Sequence, residues 1–164
     1  MDSHVPLIAD TTPLITLAGV GLFNLLPRLY GTLTIADAVE HEFAAKLQPG
    51  DLDLRSLPWL TIRAIDVPVE LAARLDRGEA ATIALAELLQ PRLVLLDERR
   101  GRRIAAERGL PIIGTGTVLV DAKRQGLIPA LAPVLDAMVA QGRYLSSQLR
   151  LTLLSAADEQ EDEG

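Results

Sequence analysis

Short apolar runs alternate with longer amphipathic segments along most of the chain, a pattern that predicts strands alternating with helices. The runs of strand length are VPLIA, TLTIA, WLTIRAI, RLVLL and LPIIG, which begin at residues 5, 32, 59, 92 and 110. The central runs lack in–out alternation, which is typical of parallel strands buried on both faces. We therefore predict a three-layer α/β/α fold with Rossmann-like topology, built around a parallel sheet of about four to five strands.

The segments between these runs predict helices. The segment GEAATIALAELLQ is the clearest helix, because it is rich in Ala and Leu. Gly19–Gly21 separate two early helical stretches, and Gly109 ends a later one. The predicted helices cover residues 13–20, 22–30, 37–47, 68–75, 78–90 and 98–109, with three more at the end of the chain and a loop over 48–58.

The length of 164 residues and the 49% apolar content predict a single domain with a sizeable core. We place that domain at residues 1–155 and predict that residues 156–164, AADEQEDEG, form an acidic disordered tail. No apolar run is long enough to cross a bilayer, and the first residues do not resemble a signal peptide. We therefore expect a cytoplasmic protein without a membrane partner. The absence of cysteine excludes disulfides and thiolate metal sites.

The net charge of −6 would disfavour a nucleic-acid partner, but five of the acids lie in the tail, so residues 1–157 carry about −1. The segment DERRGRR places Arg99, Arg100, Arg102 and Arg103 directly after Asp97. Two interpretations are open for these arginines. They either form a solvated helix face or contact phosphate groups, which guanidinium groups bind bidentately.

Two acids follow predicted strands, Asp10 after LIA and Asp97 after LVLL. The carboxyl ends of parallel strands lie at one edge of the sheet, where ligands bind in such folds. Each Asp alone is explained by capping of the helix that follows it. Two such acids at two strand ends are harder to explain by capping alone, because close like charges repel unless a cation lies between them, and this favours a site.

Further acids lie near helix starts. Glu79 opens a helix, where the helix dipole favours an acid. Asp37 and Glu40 have the spacing of a capping box, which gives Glu40 a structural role and leaves Glu42 without one. Helical phase leaves the choice open, since Glu40 lies nearer than Glu42 to the apolar stripe.

Four motifs in this order resemble the PIN-domain nucleases, and in particular the VapC-type toxins and a related, uncharacterised PIN-like group. They are IADTTPL with an acid–apolar pair about thirty residues later, GEAATIALA, LLDERRGR and GTGTVLVDAKRQGLIP. The resemblance extends from Leu7 to about Leu154 and implies a PIN-like fold.

The resemblance implies that the acidic quartet of the family corresponds to Asp10, Glu42, Glu79 and Asp97. Glu42 is preferred to Glu40 because the family acid directly precedes an apolar residue, here Phe43. Thr11 corresponds to the small hydroxyl residue beside the first acid and would position a metal-bound water. Many family members have Asp where this chain has Glu79.

Four carboxylates without cysteine make a hard, all-oxygen set of ligands that suits Mg²⁺ or Mn²⁺, and the sequence leaves one ion and two ions open. The resemblance implies a metal-dependent endoribonuclease that leaves a 3′-hydroxyl and a 5′-phosphate. Its expected partners are single-stranded or structured RNA, a small antitoxin and a second copy of the chain. Aromatic residues are only 3% of the chain, so we expect Trp59 and Tyr144 in the core or at an interface.

Two alternatives stand beside this interpretation. A phospho-aspartate enzyme of the haloacid dehalogenase type would need a second Asp at position 12, where this chain has Thr12, and a receiver domain would need an acidic pair after its first strand. A PIN-like scaffold that binds RNA or protein without cleavage is the second alternative, favoured by the Glu at position 79.

Overall fold

The structure is a computed structural model that describes residues 5–46 and 52–160. Strands and helices alternate along the chain as the apolar pattern predicts. The strands are β1 Leu7–Ala9, β2 Leu33–Ala36, β3 Leu60–Arg63, β4 Leu93–Leu95 and β5 Ile112–Ile113. The helices are α1 Thr11–Gly19, α2 Leu25–Tyr30, α3 Asp37–Lys46, α4 Val69–Arg74, α5 Arg77–Leu89, α6 Arg99–Glu107, α7 Thr115–Arg124, α8 Ala132–Ala140 and α9 Ser147–Ala156, with a short 3-10 helix at Leu54–Ser56.

The strands form one parallel sheet in the order β3-β2-β1-β4-β5. Every residue of β1 and β2 is buried, because helices cover both faces of the sheet. In contrast, β3 lies at one edge of the sheet and alternates between less and more exposed positions. The fold is therefore a three-layer α/β/α sandwich, and both the predicted fold class and the strand number are confirmed.

The strand order reverses direction at β1. The chain passes from β1 to β2 and β3 on one side, and then returns to β4 and β5 on the other side. The backbone N–H of Asp10 donates to the carbonyl of Leu95 at 3.0 Å, so the chain remains paired up to the end of both strands. This reversal opens a crevice at the carboxyl ends of β1 and β4, where Asp10 and Asp97 follow.

The end of the chain differs from the prediction. Helix α9 continues to Ala156, and the next residue, Ala157, is buried in the core. The Glu159 carboxylate accepts one bifurcated hydrogen bond from the backbone N–H of Leu131, which both of its oxygens share, and it lies 3.5 Å from Lys123 Nζ. Apolar packing and a charged acceptor thus hold residues 156–160 to the fold, which differs from a disordered tail that begins at residue 156. Residues 161–164 lie outside the described residues.

Two further predictions fall partly outside the described ranges, namely the end of the third predicted helix at Leu47 and the first part of the loop over 48–58. No helix among the described residues combines the length and the apolar character needed to cross a lipid bilayer.

Candidate functional site

Asp10 lies at the centre of the acidic crevice. It occupies the N-cap position of α1, but its side chain makes no capping hydrogen bond, so the simple capping explanation is wrong. The side chain is only 3% exposed, and the hydroxyl of Thr82 on α5 lies 3.4 Å from its Oδ1. A buried carboxylate that does not cap its own helix requires another explanation.

Glu42 reaches the same crevice from α3. The hydroxyl of Thr11 donates to Glu42 Oε2 at 2.8 Å, which fixes the carboxylate beside the end of β1. On the other side, a Cβ atom added to Gly78 would lie 2.6 Å from Glu42 Oε2. With the Glu42 carboxylate in this position, residue 78 has no room for a side chain.

Glu40 is bound elsewhere. Arg55 of the 3-10 helix donates from Nε to Glu40 Oε1 at 3.1 Å and from Nη2 to Oε2 at 3.3 Å. The expected capping box is absent from these contacts, since Asp37 accepts a hydrogen bond from the N–H of Ala38 instead. The geometry thus places Glu42 at the crevice and gives Glu40 a structural ion pair.

Glu79 lies in the first turn of α5, and its carboxylate is buried. Its backbone N–H donates to Asp76 Oδ1 at 2.8 Å, so Asp76 caps the helix. A Cβ atom on Gly101 of α6 would lie 2.9 Å from Glu79 Oε2, so this glycine also makes room for a carboxylate.

Asp97 stands at the same edge of the sheet but is tied to Thr115 at the start of α7. The Thr115 N–H donates to Asp97 Oδ1 at 2.8 Å, and the Thr115 hydroxyl donates to Oδ2 at 2.6 Å. Asp97 therefore bridges the ends of β4 and β5 rather than capping α6, whose N-cap is Glu98.

Burial and neighbouring charges raise the pKa of two of the acids, Asp10 and Glu79. The pKa of Asp10 is raised to about 7, first by burial and then by the charges of Asp76 and Glu42, although hydrogen bonds from the Thr11 N–H and Thr82 act in the opposite direction. The pKa of Glu79 is also raised well above its usual range, by burial, by a hydrogen bond shared with Asp76 and by the charges of Asp76, Asp10 and Glu98. Neighbouring negative charges contribute to both shifts, so there is electrostatic repulsion between carboxylates in the crevice.

Asp76 and Thr82 were missed in the sequence. The signal for Asp76 is the D-x-x-E spacing of Asp76 and Glu79, the same spacing that Asp37 and Glu40 show. Thr82 is fully buried one turn after Gly78 and donates to its carbonyl at 2.8 Å. Its contact with Asp10 depends on the packing of α5 against β1, which no local pattern encodes.

The donor atoms of the crevice are carboxylate and hydroxyl oxygens, which are the ligands that Mg²⁺ and Mn²⁺ prefer. A cation would also stabilise the charged forms of Asp10 and Glu79, whose pKa values are raised. Within residues 5–46 and 52–160, however, no group of three or more acidic or histidine side chains converges closely enough to hold an ion. The donor chemistry therefore fits, and a cation would have to draw the carboxylates closer than they lie here.

The predicted phosphate-binding arginines lie on α6. Arg102 Nη1 donates to the carbonyl of Leu96 at 2.9 Å, so this guanidinium also anchors the turn after β4. Arg99, Arg100 and Arg103 are exposed and have no ion pair with any residue that the structure describes. These three are available to an anionic ligand beside the crevice.

The one histidine among the described residues lies away from this site. His41 is exposed on α3, as expected of a surface helix residue, and its Nε2 lies 3.8 Å from Glu40 Oε2 rather than at the crevice. His4 lies outside the described residues.

Comparison with known proteins agrees with this architecture. A family model described as a PIN domain matches residues 6–159, which is nearly the whole chain. No curated protein sequence matches the chain. PIN domains are generally nucleases, and the acidic crevice at the carboxyl edge of this sheet is consistent with a nuclease fold. The chain therefore belongs to the PIN-domain family.

Proposed function

We propose that this protein is a metal-dependent endoribonuclease that hydrolyses phosphodiester bonds at the crevice of Asp10, Glu42, Glu79 and Asp97. The observation that carries the proposal is that Asp10, Glu42 and Glu79 face one crevice from three different elements, where burial, followed by neighbouring acidic charges, raises the pKa of Asp10 and Glu79. If these residues served only stability, separating them would stabilise the fold, because it would remove the repulsion between their charges.

In the proposed reaction, the oxygen of a water molecule adds to phosphorus and the bond from phosphorus to the 3′-oxygen breaks. That oxygen takes up a proton, so the products are a 3′-hydroxyl and a 5′-phosphate. When bound, Mg²⁺ or Mn²⁺ would polarise the phosphate and lower the pKa of the attacking water. The four acids would hold it, with one or two ions as the possibilities.

The side chains around the acids have supporting roles. Thr11 orients the Glu42 carboxylate through its 2.8 Å hydrogen bond, and Thr115 orients Asp97. We assign Thr11 a second role, positioning the water that attacks. Arg99, Arg100 and Arg103 would hold the phosphates of the strand, and Arg102 would contribute while supporting the turn after β4.

A second candidate function is a PIN-like scaffold that binds RNA or a protein without cleaving it. Two observations favour it, namely the absence of a three-ligand group among the described residues and the double hydrogen bond that engages Asp97. Cleavage and binding therefore have to be measured separately.

The experiment compares two neighbouring glutamates, Glu42 as a residue of the proposed site and Glu40 as the control. A mixed pool of single-stranded RNA is incubated with purified protein in Mg²⁺, in Mn²⁺ and in EDTA. We expect cleavage only with a metal, a loss on the order of 100-fold in Glu42→Gln, and near-normal cleavage in Glu40→Gln measured below its melting temperature. The double variant Asp10→Asn with Asp97→Asn should be silent.

Equal loss in Glu40→Gln and Glu42→Gln would remove Glu42 from the site. RNA binding without cleavage under all metal conditions would support the scaffold instead.

The likeness of the motifs to VapC-type toxins supports a further proposal, that the protein is the toxin of a toxin–antitoxin pair, forms a homodimer and acts in the cytoplasm. Induced expression should then arrest growth, and co-expression of a small protein encoded beside it should restore growth. Light scattering of the purified protein would give twice the mass of 17.7 kDa. Normal growth during expression of an active enzyme would contradict the toxin role.

A further inference from the structure

A groove of about 430 Å³ begins at the acidic crevice and extends to the C-terminal helices. Its polar end is lined by Asp97, Thr115 and Thr12, and its apolar floor is lined by Met138, Leu149 and Leu153. The volume is within the range of small-molecule pockets. Because Asp97 belongs to both, the groove is continuous with the proposed site of cleavage.

The floor of the groove depends on a close approach between α7 and α9. A Cβ atom on Gly116 would lie 2.8 Å from Leu153 Cδ2, so the apolar side chain of α9 packs directly on the backbone of α7. This contact places an apolar surface immediately beside Thr115 and Asp97.

The rim of the groove carries an arginine and an exposed aromatic ring. Gly142 has φ +88°, a left-handed conformation that ends α8 and turns the chain toward the groove. After this turn, Arg143 and Tyr144 line the rim. Tyr144 is 90% exposed, which excludes the core position expected from sequence. The guanidinium of Arg143 has no ion pair or hydrogen bond with any described side chain.

This combination of groups matches one nucleotide of a single strand. An aromatic ring stacks on any base, apolar side chains cover the base, and an unpaired guanidinium binds the phosphate. A duplex keeps its bases stacked, so only a nucleotide of a single-stranded segment can enter the groove. A peptide would use the apolar floor equally well, but the free guanidinium beside the site that handles phosphate favours the nucleotide.

We infer that this groove binds the nucleotide next to the cleaved phosphodiester bond, with its base against Tyr144 and the apolar floor and a phosphate on Arg143. The inference rests on the proposed nuclease function and narrows its substrate to single-stranded RNA. Tyr144 and Arg143 are then residues that determine specificity.

The test combines protein and substrate changes. The cleavage position in a labelled single-stranded RNA is mapped with the wild-type protein, and abasic residues are then placed on either side of it. We expect one abasic position to lower kcat/KM about tenfold. In Tyr144→Ala, kcat/KM on intact RNA should fall by a similar factor, and the abasic change should have no further effect.

Arg143→Ala should raise KM and leave kcat unchanged, because the guanidinium contacts a phosphate away from the reacting atoms. The matched controls are Leu151→Ala and Arg124→Ala, which alter exposed side chains outside the groove and should behave as wild type.

The outcomes separate the two proposals. If the wild type cleaves RNA and both rim variants, Tyr144→Ala and Arg143→Ala, cleave it with the same kinetics, the inference is overturned and the nuclease function stands. The groove would then be a binding site for a polypeptide. If the wild type does not cleave, the nuclease function fails, and fluorescence anisotropy of the RNA in EDTA decides the groove. About tenfold weaker binding by Tyr144→Ala would then support a nucleotide site, and unchanged binding would overturn it.

Discussion

Asp10 makes the stability of the protein depend on pH. The pKa of this carboxyl is about 7 in the folded chain, against an ordinary value of 3.8, chiefly because the carboxyl is buried. Between these values the folded state retains a proton that the unfolded state has lost. The free energy of unfolding must therefore fall as pH rises from about 4 to about 7.

Asp10→Asn tests this linkage because it keeps the shape and removes the charge. In EDTA, the wild type should lose stability from pH 4 to pH 8, by roughly 4 kcal/mol from this residue if the shift is about three units. The variant should be the more stable protein at pH 8 and close to wild type at pH 4, while its cleavage activity is abolished. Chemical denaturation at both pH values measures the difference.

Asp136→Asn is the matched control, since Asp136 is exposed and pairs with Arg150 on the surface. Its stability curve should follow that of the wild type. An Asp10→Asn protein that is less stable at both pH values by the same amount would show that the buried carboxyl is a structural hydrogen-bond partner rather than a destabilising charge.

Contacts of single residues also explain why the sequence alone could not decide between Glu40 and Glu42 as the second acid of the site. Both lie on α3, and the helical phase favoured Glu40 as the more inward residue. The decisive contacts come from elsewhere in the chain, from Arg55 for Glu40 and from Thr11 for Glu42. A periodic pattern predicts which face of a helix is buried, but it does not predict which residue from another part of the chain contacts that face.

Helix α6 is the element that couples the acids to a basic surface. Its Gly101 lies against Glu79, while Arg99, Arg100 and Arg103 project from it and are exposed. The helix follows β4 directly, so these arginines start beside Asp97. An anionic strand drawn to α6 would therefore be delivered to the acids, despite the net charge of −6 for the whole chain.

The double variant Arg99→Ala with Arg100→Ala should weaken binding of single-stranded RNA and lower its salt dependence. If each arginine contacts one phosphate, the slope of log K against log salt should decrease by about 1.4. Fluorescence anisotropy in EDTA, repeated over a series of salt concentrations, measures both quantities.

The control is Arg28→Ala with Arg92→Ala, which removes two exposed arginines from α2 and from the start of β4. Arg92 precedes its strand and thus lies at the opposite edge of the sheet. An equal change of slope in both double variants would mean that the protein binds RNA through its overall charge distribution rather than through α6.

The elements themselves were largely predictable. Buried parallel strands read as continuous apolar runs, and several turns contain Gly or Pro, as at Gly31, Pro68, Pro91 and Gly109, so many element ends leave a mark in the sequence. The contacts between elements leave no such mark. Glycines 78, 101 and 114 each bring a backbone close to one of the four acids, and sequence alone would read them only as flexible positions.

For the whole molecule, the position of the site follows from topology. In a parallel sheet with the order β3-β2-β1-β4-β5, the crevice must open where the order reverses. Acids after β1 and β4 were expected from the sequence at one edge of the sheet, and the strand order makes them neighbours there. Topology does not predict the structure of the end of the chain. The acidic composition there predicts a solvated segment and gives no sign of a buried residue such as Ala157.

The described end of the chain should contribute to global stability. Glu159 satisfies the N–H of Leu131 at the start of α8 with distances of 2.7 and 2.8 Å, and its charge is offset by Lys123. A hydrogen bond to a charged group contributes about 1.5–3 kcal/mol. Truncation after Ser155 removes this bond together with the buried Ala157, so we expect a loss of about 2 kcal/mol or more and a melting temperature lower by about 5 °C.

Truncation after Gln160 is the matched control, because it removes three further acids but retains every contact described for this segment. Its melting temperature should equal that of the full chain. The melting temperature of Glu159→Gln should lie between those of the two truncated proteins, because the amide keeps an acceptor and loses the charge. Differential scanning calorimetry distinguishes the three proteins. If the protein truncated after Ser155 melts with the full chain, residues 156–160 add no stability, and the C-terminal segment acts in solution as the solvated tail that its composition predicts.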